Sequence, residues 1–122
     1  MLVAPRPDPD RRMVPSPGFR PARGSVHEFY AAAHADGACL AVLAMMLGEA
    51  PGKGVRLWVR HEAQARETGA PFAAGIAELG LAPERLPLVL ARDAASVLQA
   101  ALEGARCAAL EAVIVELWGE TR

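Results

Sequence analysis

The stretch LPLVLARDAASVLQAALEGARCAALEAVIVEL, residues 86–117, decides the fold of this chain. Its first six residues, 86–91, are continuously apolar, as a strand in the interior of a parallel sheet requires. Asp93 is placed to cap a predicted helix over residues 94–106, and residues 110–117 (LEAVIVEL) are typical of a further strand. A strand, a helix and a second strand in this order predict a right-handed crossover between parallel strands. The predicted helix carries one apolar stripe, made of Val97, Leu98, Ala101, Leu102 and Ala105.

The segments before this stretch continue the alternation of strands and helices. Residues 25–30 (SVHEFY) and 55–60 (VRLWVR) carry the β-branched and aromatic side chains typical of strands. We therefore predict an α/β fold, a parallel sheet of about four strands flanked by helices. The other predicted elements are a buried helix over residues 38–47, a polar turn or short helix over 61–68, and a helix that holds Phe72, Ile76 and Leu79.

Length and charge limit the classes of protein that the chain can belong to. Its 122 residues, 52% of them hydrophobic, allow one domain with a modest core. Much of that fraction is alanine, with 26 residues, so that many of the apolar side chains bury little area each. A net charge of −1 excludes a uniformly basic nucleic-acid binder and a strongly acidic disordered chain.

The first 24 residues differ in composition from the rest of the chain. They hold six of the ten prolines and five arginines against two aspartates, and proline at this density leaves too few amide donors for regular structure. We expect a disordered Pro/Arg-rich arm over residues 1–24 and an α/β core over 25–122. Such an arm is more often a solvated linker, with weak DNA contact through its arginines as the alternative.

Neither a secretory signal nor a membrane span is predicted. The longest apolar stretch, residues 38–47, has ten residues, about half of the roughly 20 that a bilayer requires, and we expect a cytoplasmic protein. Cys39 and Cys107 lie in apolar sequence without the spacing of a metal site. Both are predicted to be reduced thiols in the core.

A candidate site follows the first predicted strand. A strand, a loop of small residues and a buried helix is the layout of a phosphate-binding loop, which also needs glycines, a lysine and a Ser/Thr hydroxyl. The loop AAAHADGAC, residues 31–39, has one glycine and no lysine, serine or threonine. The layout is therefore kept, while the side chains that hold phosphate and magnesium are missing.

The order of several motifs resembles one family. GSVHEFY (24–30), GACLAVLAMML (37–47), RLWVR (56–60), GIAELGLAPERLPLVLARDAASVLQAALEGARCAAL (75–110) and VIVELWGE (113–120) together look like the inducible mutagenesis protein A family, ImuA. These are RecA-like bacterial proteins of the SOS response. The resemblance covers residues 18–122, and its strength lies in the order and spacing of the motifs.

The wider resemblance is to the RecA ATPase core, and it relates three parts of this chain to functional positions of that core. Residues 30–40 fall where RecA-like proteins have the phosphate-binding loop, Glu62 where they carry the glutamate that activates water, and Glu116 where they have the magnesium-side aspartate. A general base without a phosphate cradle has no nucleotide to act on. We therefore expect no enzyme, cofactor, metal or catalytic residue, with Glu62 and Glu116 as solvated or salt-bridged carboxylates. A degenerate ATPase is the alternative.

The family resemblance implies a role in mutagenic translesion synthesis after DNA damage, exerted through protein contacts. ImuA-like proteins are encoded with a polymerase-like partner, ImuB, and a DnaE-type polymerase, and contacts with RecA and ImuB are implied here. A SulA-like inhibitor of cell division that binds FtsZ is the alternative. Because the family continues beyond the last predicted strand, we expect a truncated core whose first strand pairs differently, stays loose or is completed by another chain.

Two further groups of residues are candidates for a site. A metal cluster is less expected than surface polar residues, because no pair has ligand spacing on one helix face. The two tryptophans, Trp58 and Trp118, are expected to cap the core, with a partner-anchoring role as the alternative. The metal candidates are His27, Glu28, His34, Asp36, His61 and Glu62.

Overall fold

A three-stranded parallel sheet forms the centre of the structure, a computed structural model that describes residues 24–33, 36–47 and 54–117. Strand β1, Val55–His61, lies in the middle, between β2, Leu88–Ala91, and β3, Leu110–Glu116. Trp58 and Val59 project to opposite faces of β1 and are both buried. Both faces of the sheet are therefore covered, as an all-parallel sheet requires.

Four α-helices surround this sheet in the described part of the chain, and a short 3₁₀ turn, Pro83–Arg85, precedes β2. The predicted α/β class, a parallel sheet flanked by helices, is confirmed, and it is consistent with an incomplete RecA-like sheet. The helices are α1, Gly37–Leu47; α2, Glu62–Thr68; α3, Ala73–Glu78; and α4, Ala94–Ala105.

Two hydrophobic clusters hold the helices to the sheet. On one face, which we call the Trp58 face, α1 and α3 pack through Met45 and Ile76 in the cluster around Trp58. On the opposite face, α4 packs Val97 in a cluster with Val59 of β1. Burial of these side chains supplies the main driving force for assembling the layers.

The prediction of a first strand over residues 25–30 is wrong. These residues belong to no strand of the sheet, and Val26 is 92% exposed. β-Propensity describes how well side chains fit a pleated surface, so Val26, Phe29 and Tyr30 do not make a strand without a paired neighbour. The described sheet therefore has three strands and not four.

The strand predicted over residues 86–91 begins two residues later, at Leu88. Pro87 has no N–H to donate to a sheet, although its carbonyl accepts a hydrogen bond from Trp58 N at 3.0 Å. The expected disordered arm, residues 1–24, lies outside the described residues except for Gly24.

The prediction of one apolar stripe on α4 is partly wrong. Val97 is fully buried, but Leu98 and Leu102 are 53% and 45% exposed. The buried side of the helix instead includes Gly104. Val97 and Gly104 lie two helical turns apart on the side that faces the sheet, and Leu98 and Leu102 lie beside that side.

The two cysteines are free, as expected, but their predicted place in the core is wrong. Cys39 and Cys107 are both exposed. Cys39 lies on the side of α1 away from the buried Ala41 and Met45, and Cys107 follows the end of α4. Apolar neighbours in sequence therefore do not bury these thiols.

Replacing Gly104 with alanine tests the close approach of α4 to the sheet. A Cβ atom at this position would lie 2.7 Å from Leu57 Cδ2 and 3.1 Å from Val113 Cγ2. We expect Gly104→Ala to lower the free energy of unfolding by about 1–3 kcal/mol, although alanine is the better helix former. Urea unfolding measures the change.

Gly75→Ala in α3 is the matched control. Its added Cβ meets Phe72 Cδ1 at 3.5 Å, an ordinary contact, so this substitution leaves stability unchanged or raises it. Equal urea midpoints for Gly104→Ala and the wild-type chain would contradict the close packing.

The cap of α4 predicts a dependence of stability on pH. Asp93 Oδ1 accepts a hydrogen bond from Ser96 N at 2.7 Å, which confirms the predicted cap and holds the pKa of Asp93 below its ordinary value of 3.8. The ionised carboxylate therefore stabilises the folded state above that ordinary value, and this contribution disappears as pH falls through the lowered pKa. Asp93→Asn keeps a good capping side chain without a titrating group. We expect the melting temperature of the wild-type chain to fall more steeply in acid than that of Asp93→Asn. Parallel curves of melting temperature against pH for the two proteins would contradict a role of the Asp93 carboxylate in stability.

Candidate functional site

A buried ion pair lies at the carboxyl ends of β1 and β3. Arg60 and Glu116 are partners in the β1–β3 register, so their side chains project from the same face of the sheet. Arg60 Nε donates to Glu116 Oε2 at 2.8 Å, and the two side chains are 1% and 6% exposed. A charged pair with so little contact with water depends on good geometry and further hydrogen bonds.

Those further hydrogen bonds are present on both oxygens of Glu116. Trp58 Nε1 donates to Oε2 at 3.1 Å, and Gln64 Nε2 donates to Oε1 at 3.3 Å. We call the residues joined around this carboxylate (Trp58, Arg60, Gln64, Thr68 and Glu116) the Glu116 cluster. Its central carboxylate is held by side chains from β1 and from α2.

The guanidinium of Arg60 is also held at its other nitrogens. One terminal nitrogen donates to Gly69 O at 2.9 Å, and the other donates to Thr68 Oγ1 at 3.0 Å. The guanidinium carbon lies 5.2 Å from the centre of the Trp58 ring, within the range of a cation–π interaction. Arg60 therefore ties the end of β1 to both β3 and the end of α2.

The amino end of α1 lies against the same carboxylate. A Cβ atom added to Gly37, the first residue of α1, would lie 3.1 Å from Glu116 Oε1 and 3.0 Å from Gln64 Nε2. The amino end of a helix carries partial positive charge and favours an anion. In this chain, a side-chain carboxylate lies beside the amino end of α1.

Chemically, the carboxylate of Glu116 is the counter-ion of the Arg60 guanidinium. Both oxygens of Glu116 accept hydrogen bonds, and its charge is balanced by Arg60. The buried Oε1 atom of Gln64 has no hydrogen-bond partner. Because Gln64 Nε2 faces the carboxylate, exchanging the two ends of this amide would place two acceptors together.

Glu62, the second acidic candidate, lies apart from this cluster. It is the first residue of α2 and is bonded to Arg66 one helical turn later, at 2.8 Å. Both side chains are exposed to water, where an ion pair contributes little. Glu62 and Glu116 are thus both salt-bridged, one on the surface and one in the interior.

The candidate metal ligands within the described residues make separate contacts. His27 lies 2.9 Å from Ser25 Oγ, and His61 Nε2 lies 3.3 Å from the carbonyl oxygen of Arg92. Tyr30 donates to Glu28 at 2.6 Å, which raises the pKa of Tyr30 above its ordinary value. Over residues 24–33, 36–47 and 54–117, no three His, Cys, Asp or Glu side chains form a group able to hold a metal ion.

The remaining candidates are placed only in part. Asp36 is exposed and precedes α1. Trp58 is buried, as expected for an indole in the core. His34 and Trp118 lie outside the described residues.

Sequence reasoning identified Glu116 but missed the side chains around it. Arg60 was not a candidate because a charged residue after an apolar strand is usually solvated, and Gln64 and Thr68 were not candidates because they lie in a polar segment. The missed signal is that the strands RLWVR and VIVE end in charges of opposite sign, Arg60 and Glu116, each after an apolar run. If those strands are neighbours, the two charges meet in the interior.

Comparisons with protein-family models, with curated proteins and with solved structures find no match to this chain. Within the described ranges, every helix is too short or too polar to cross a bilayer.

Replacing Glu116 with glutamine tests the buried ion pair. The substitution keeps the shape of the side chain but leaves the charge of Arg60 in the interior without a counter-ion. We expect a loss of about 3–5 kcal/mol in the free energy of unfolding, measured by urea denaturation.

Glu62→Gln removes a carboxylate from an exposed ion pair and serves as the matched control. Its expected cost is below about 1 kcal/mol. Equal costs for the two substitutions would mean that burial adds nothing to the Arg60–Glu116 interaction.

Proposed function

We propose that this chain is a non-catalytic, RecA-like accessory protein of SOS-induced mutagenic translesion synthesis. It acts in the cytoplasm through protein contacts with RecA and with an ImuB-type polymerase partner that works alongside a DnaE-type polymerase. The proposal rests on the resemblance of its motifs to the ImuA family. The observation that carries the non-catalytic part is the burial of Glu116 against Arg60.

The electrostatics of the Glu116 cluster support this proposal. A nucleotide phosphate at the amino end of α1 would meet the carboxylate of Glu116, which already lies there. Two anions at one helix end repel each other, and the single positive charge of Arg60 is already paired with Glu116. Binding of MgATP would therefore require the buried ion pair to open.

The outer surface of α4 supports a role in protein contacts. Leu98 and Leu102 are one helical turn apart and share an exposed ridge. Exposed apolar side chains that lie together are more typical of interaction sites than single ones are. We infer that this ridge, the Leu98–Leu102 ridge, contributes to the contact with RecA or the ImuB-type partner.

A capture experiment tests the proposal. The 122-residue chain is immobilised and exposed separately to RecA filaments on single-stranded DNA, an ImuB-type polymerase and FtsZ. We expect retention of RecA or the ImuB-type protein, reduced about tenfold or more by Leu98→Ser with Leu102→Ser, because apolar anchors dominate such interfaces.

Gln99→Ser with Glu103→Ser is the control, since it changes two exposed polar residues of the same helix. Its retention should equal that of the wild-type chain. Retention of FtsZ alone would favour the SulA-like alternative. Saturable MgATP binding that is lost in Glu116→Gln would contradict the non-catalytic role.

A further inference from the structure

One side of α4 carries a row of four exposed apolar side chains. Its two leucines are 53% and 45% exposed, and an exposed alanine lies beyond them at each end. The four residues share one side of the helix because they are three, four and three positions apart. This spacing is the repeat through which two helices pack as a coiled coil. The members of this row, which we call the α4 seam, are Ala95, Leu98, Leu102 and Ala105.

The α4 seam lies apart from the residues that hold α4 to the sheet. Val97 and Gly104 are the buried residues of the helix. On its outer surface, Gln99 Nε2 donates to Glu103 Oε1 at 3.0 Å, and both of these side chains are exposed. The seam lies between the buried side and this polar side. A helix packed on the seam therefore leaves the contacts between α4 and the sheet intact.

The α4 seam is the same in both directions along the chain, and this property indicates its partner. Its residues are Ala, Leu, Leu and Ala from either end, and their spacing is symmetric as well. An identical helix that runs in the opposite direction places its Leu102 against Leu98. It also places its Ala105 against Ala95. Two-fold symmetric dimers are built from such self-complementary surfaces.

Charges at the two ends of α4 favour the antiparallel direction. Asp93 lies at the start of the helix and Arg106 at its end, and both are exposed. In an antiparallel pair, Asp93 of each copy comes level with Arg106 of the other copy, so that opposite charges meet at both ends. A parallel pair would bring like charges together and align the two helix dipoles.

Two exposed side chains at the end of β3 extend the surface beside the seam. Val115 and Leu117 are 39% and 38% exposed. Val115 is the register partner of Val59, which packs against α4, so both side chains project from the face of the sheet that α4 covers. In a right-handed crossover from β2 to β3, the seam is on the side of α4 toward the outer edge of β3.

The size of this surface sets the strength of the contact. The 12 residues of α4 give a helix about 18 Å long. A specific interface buries roughly 800 Å² on each partner, which is more than one face of so short a helix supplies. Val115 and Leu117 add apolar area to it. We therefore expect association at micromolar concentrations rather than a permanent dimer.

We propose that the α4 seam is a dimer interface, at which a second copy of this chain packs its own α4 in the antiparallel direction. The dimer covers the Leu98–Leu102 ridge, which is also the surface of the proposed contact with RecA or the ImuB-type partner. The second copy and that partner therefore compete for one surface. Only this competition rests on the proposed function, whereas the dimer does not.

Sedimentation velocity of the 122-residue chain, measured without any partner, tests the interface. At micromolar concentrations we expect twice the mass of one chain. Leu102→Glu should sediment as a single chain, because a charge buried in the seam raises the dissociation constant about a hundredfold or more. Gln99→Glu is the matched control, since it adds the same charge to the outer surface of α4 and should leave the dimer intact. Far-UV circular dichroism checks that both variants are folded.

Disulfide formation tests the direction of packing and does not depend on Leu102→Glu folding. In a chain whose exposed Cys39 and Cys107 are replaced by serine, Ala95→Cys combined with Ala105→Cys places new thiols across the antiparallel seam. Mild oxidation should give a covalent dimer of this variant. Each single substitution should give none, because equal positions of the two copies lie about 15 Å apart, beyond the reach of a disulfide.

Three results would overturn the proposal. They are a single-chain mass at every concentration, a dimer that Leu102→Glu leaves intact, and covalent dimers of the single cysteine variants, which would indicate parallel packing. RecA and the ImuB-type protein are absent from these measurements. A failure of the dimer is therefore distinguishable from a failure of the capture experiment.

Discussion

The ion pair between Arg60 and Glu116 is the interaction on which the carboxyl end of the sheet depends. It joins the ends of two neighbouring strands, and the remaining nitrogens of Arg60 hold the end of α2 at Thr68 and Gly69. The amino end of α1 lies against the same carboxylate. One buried pair thus brings together four elements, β1, β3, α2 and α1, whose polar groups would otherwise face a low-dielectric interior without partners.

The same carboxylate also lies beside the amino end of α1. A helix that begins at the carboxyl end of a parallel sheet requires an anion or polar acceptors near its first turn. In nucleotide-binding proteins the ligand supplies that anion. Here Glu116 supplies it from within the chain, and Arg60 balances the charge.

Much of the fold could be predicted from the sequence, because the signals were local and strong. The apolar runs of β1 and β3, and the Asp93 cap of α4, identify their elements from neighbouring residues alone. The SVHEFY segment was predicted as a strand because side-chain type cannot show whether a partner strand is present. The exposure of Leu98 follows from the rotation of α4, which turns Val97 and Gly104 toward the sheet.

The site was less predictable than the fold for a related reason. Glu116 could be found from its position after a strand, but the pairing with Arg60 requires that β1 and β3 be neighbours in register. The role of Gln64 depends further on how α2 turns back over the sheet. These are long-range relations that no local pattern encodes.

A double-mutant cycle on Arg60 and Glu116 tests the central claim most directly. The free energies of unfolding of Arg60→Met, Glu116→Gln and the double variant are compared with that of the wild-type chain. If the pair is the buried interaction described here, its members are coupled by about 2 kcal/mol, and the double variant is more stable than the sum of the single losses predicts. Losses that add to within about 0.5 kcal/mol would show that the two residues act independently, and the account would be wrong.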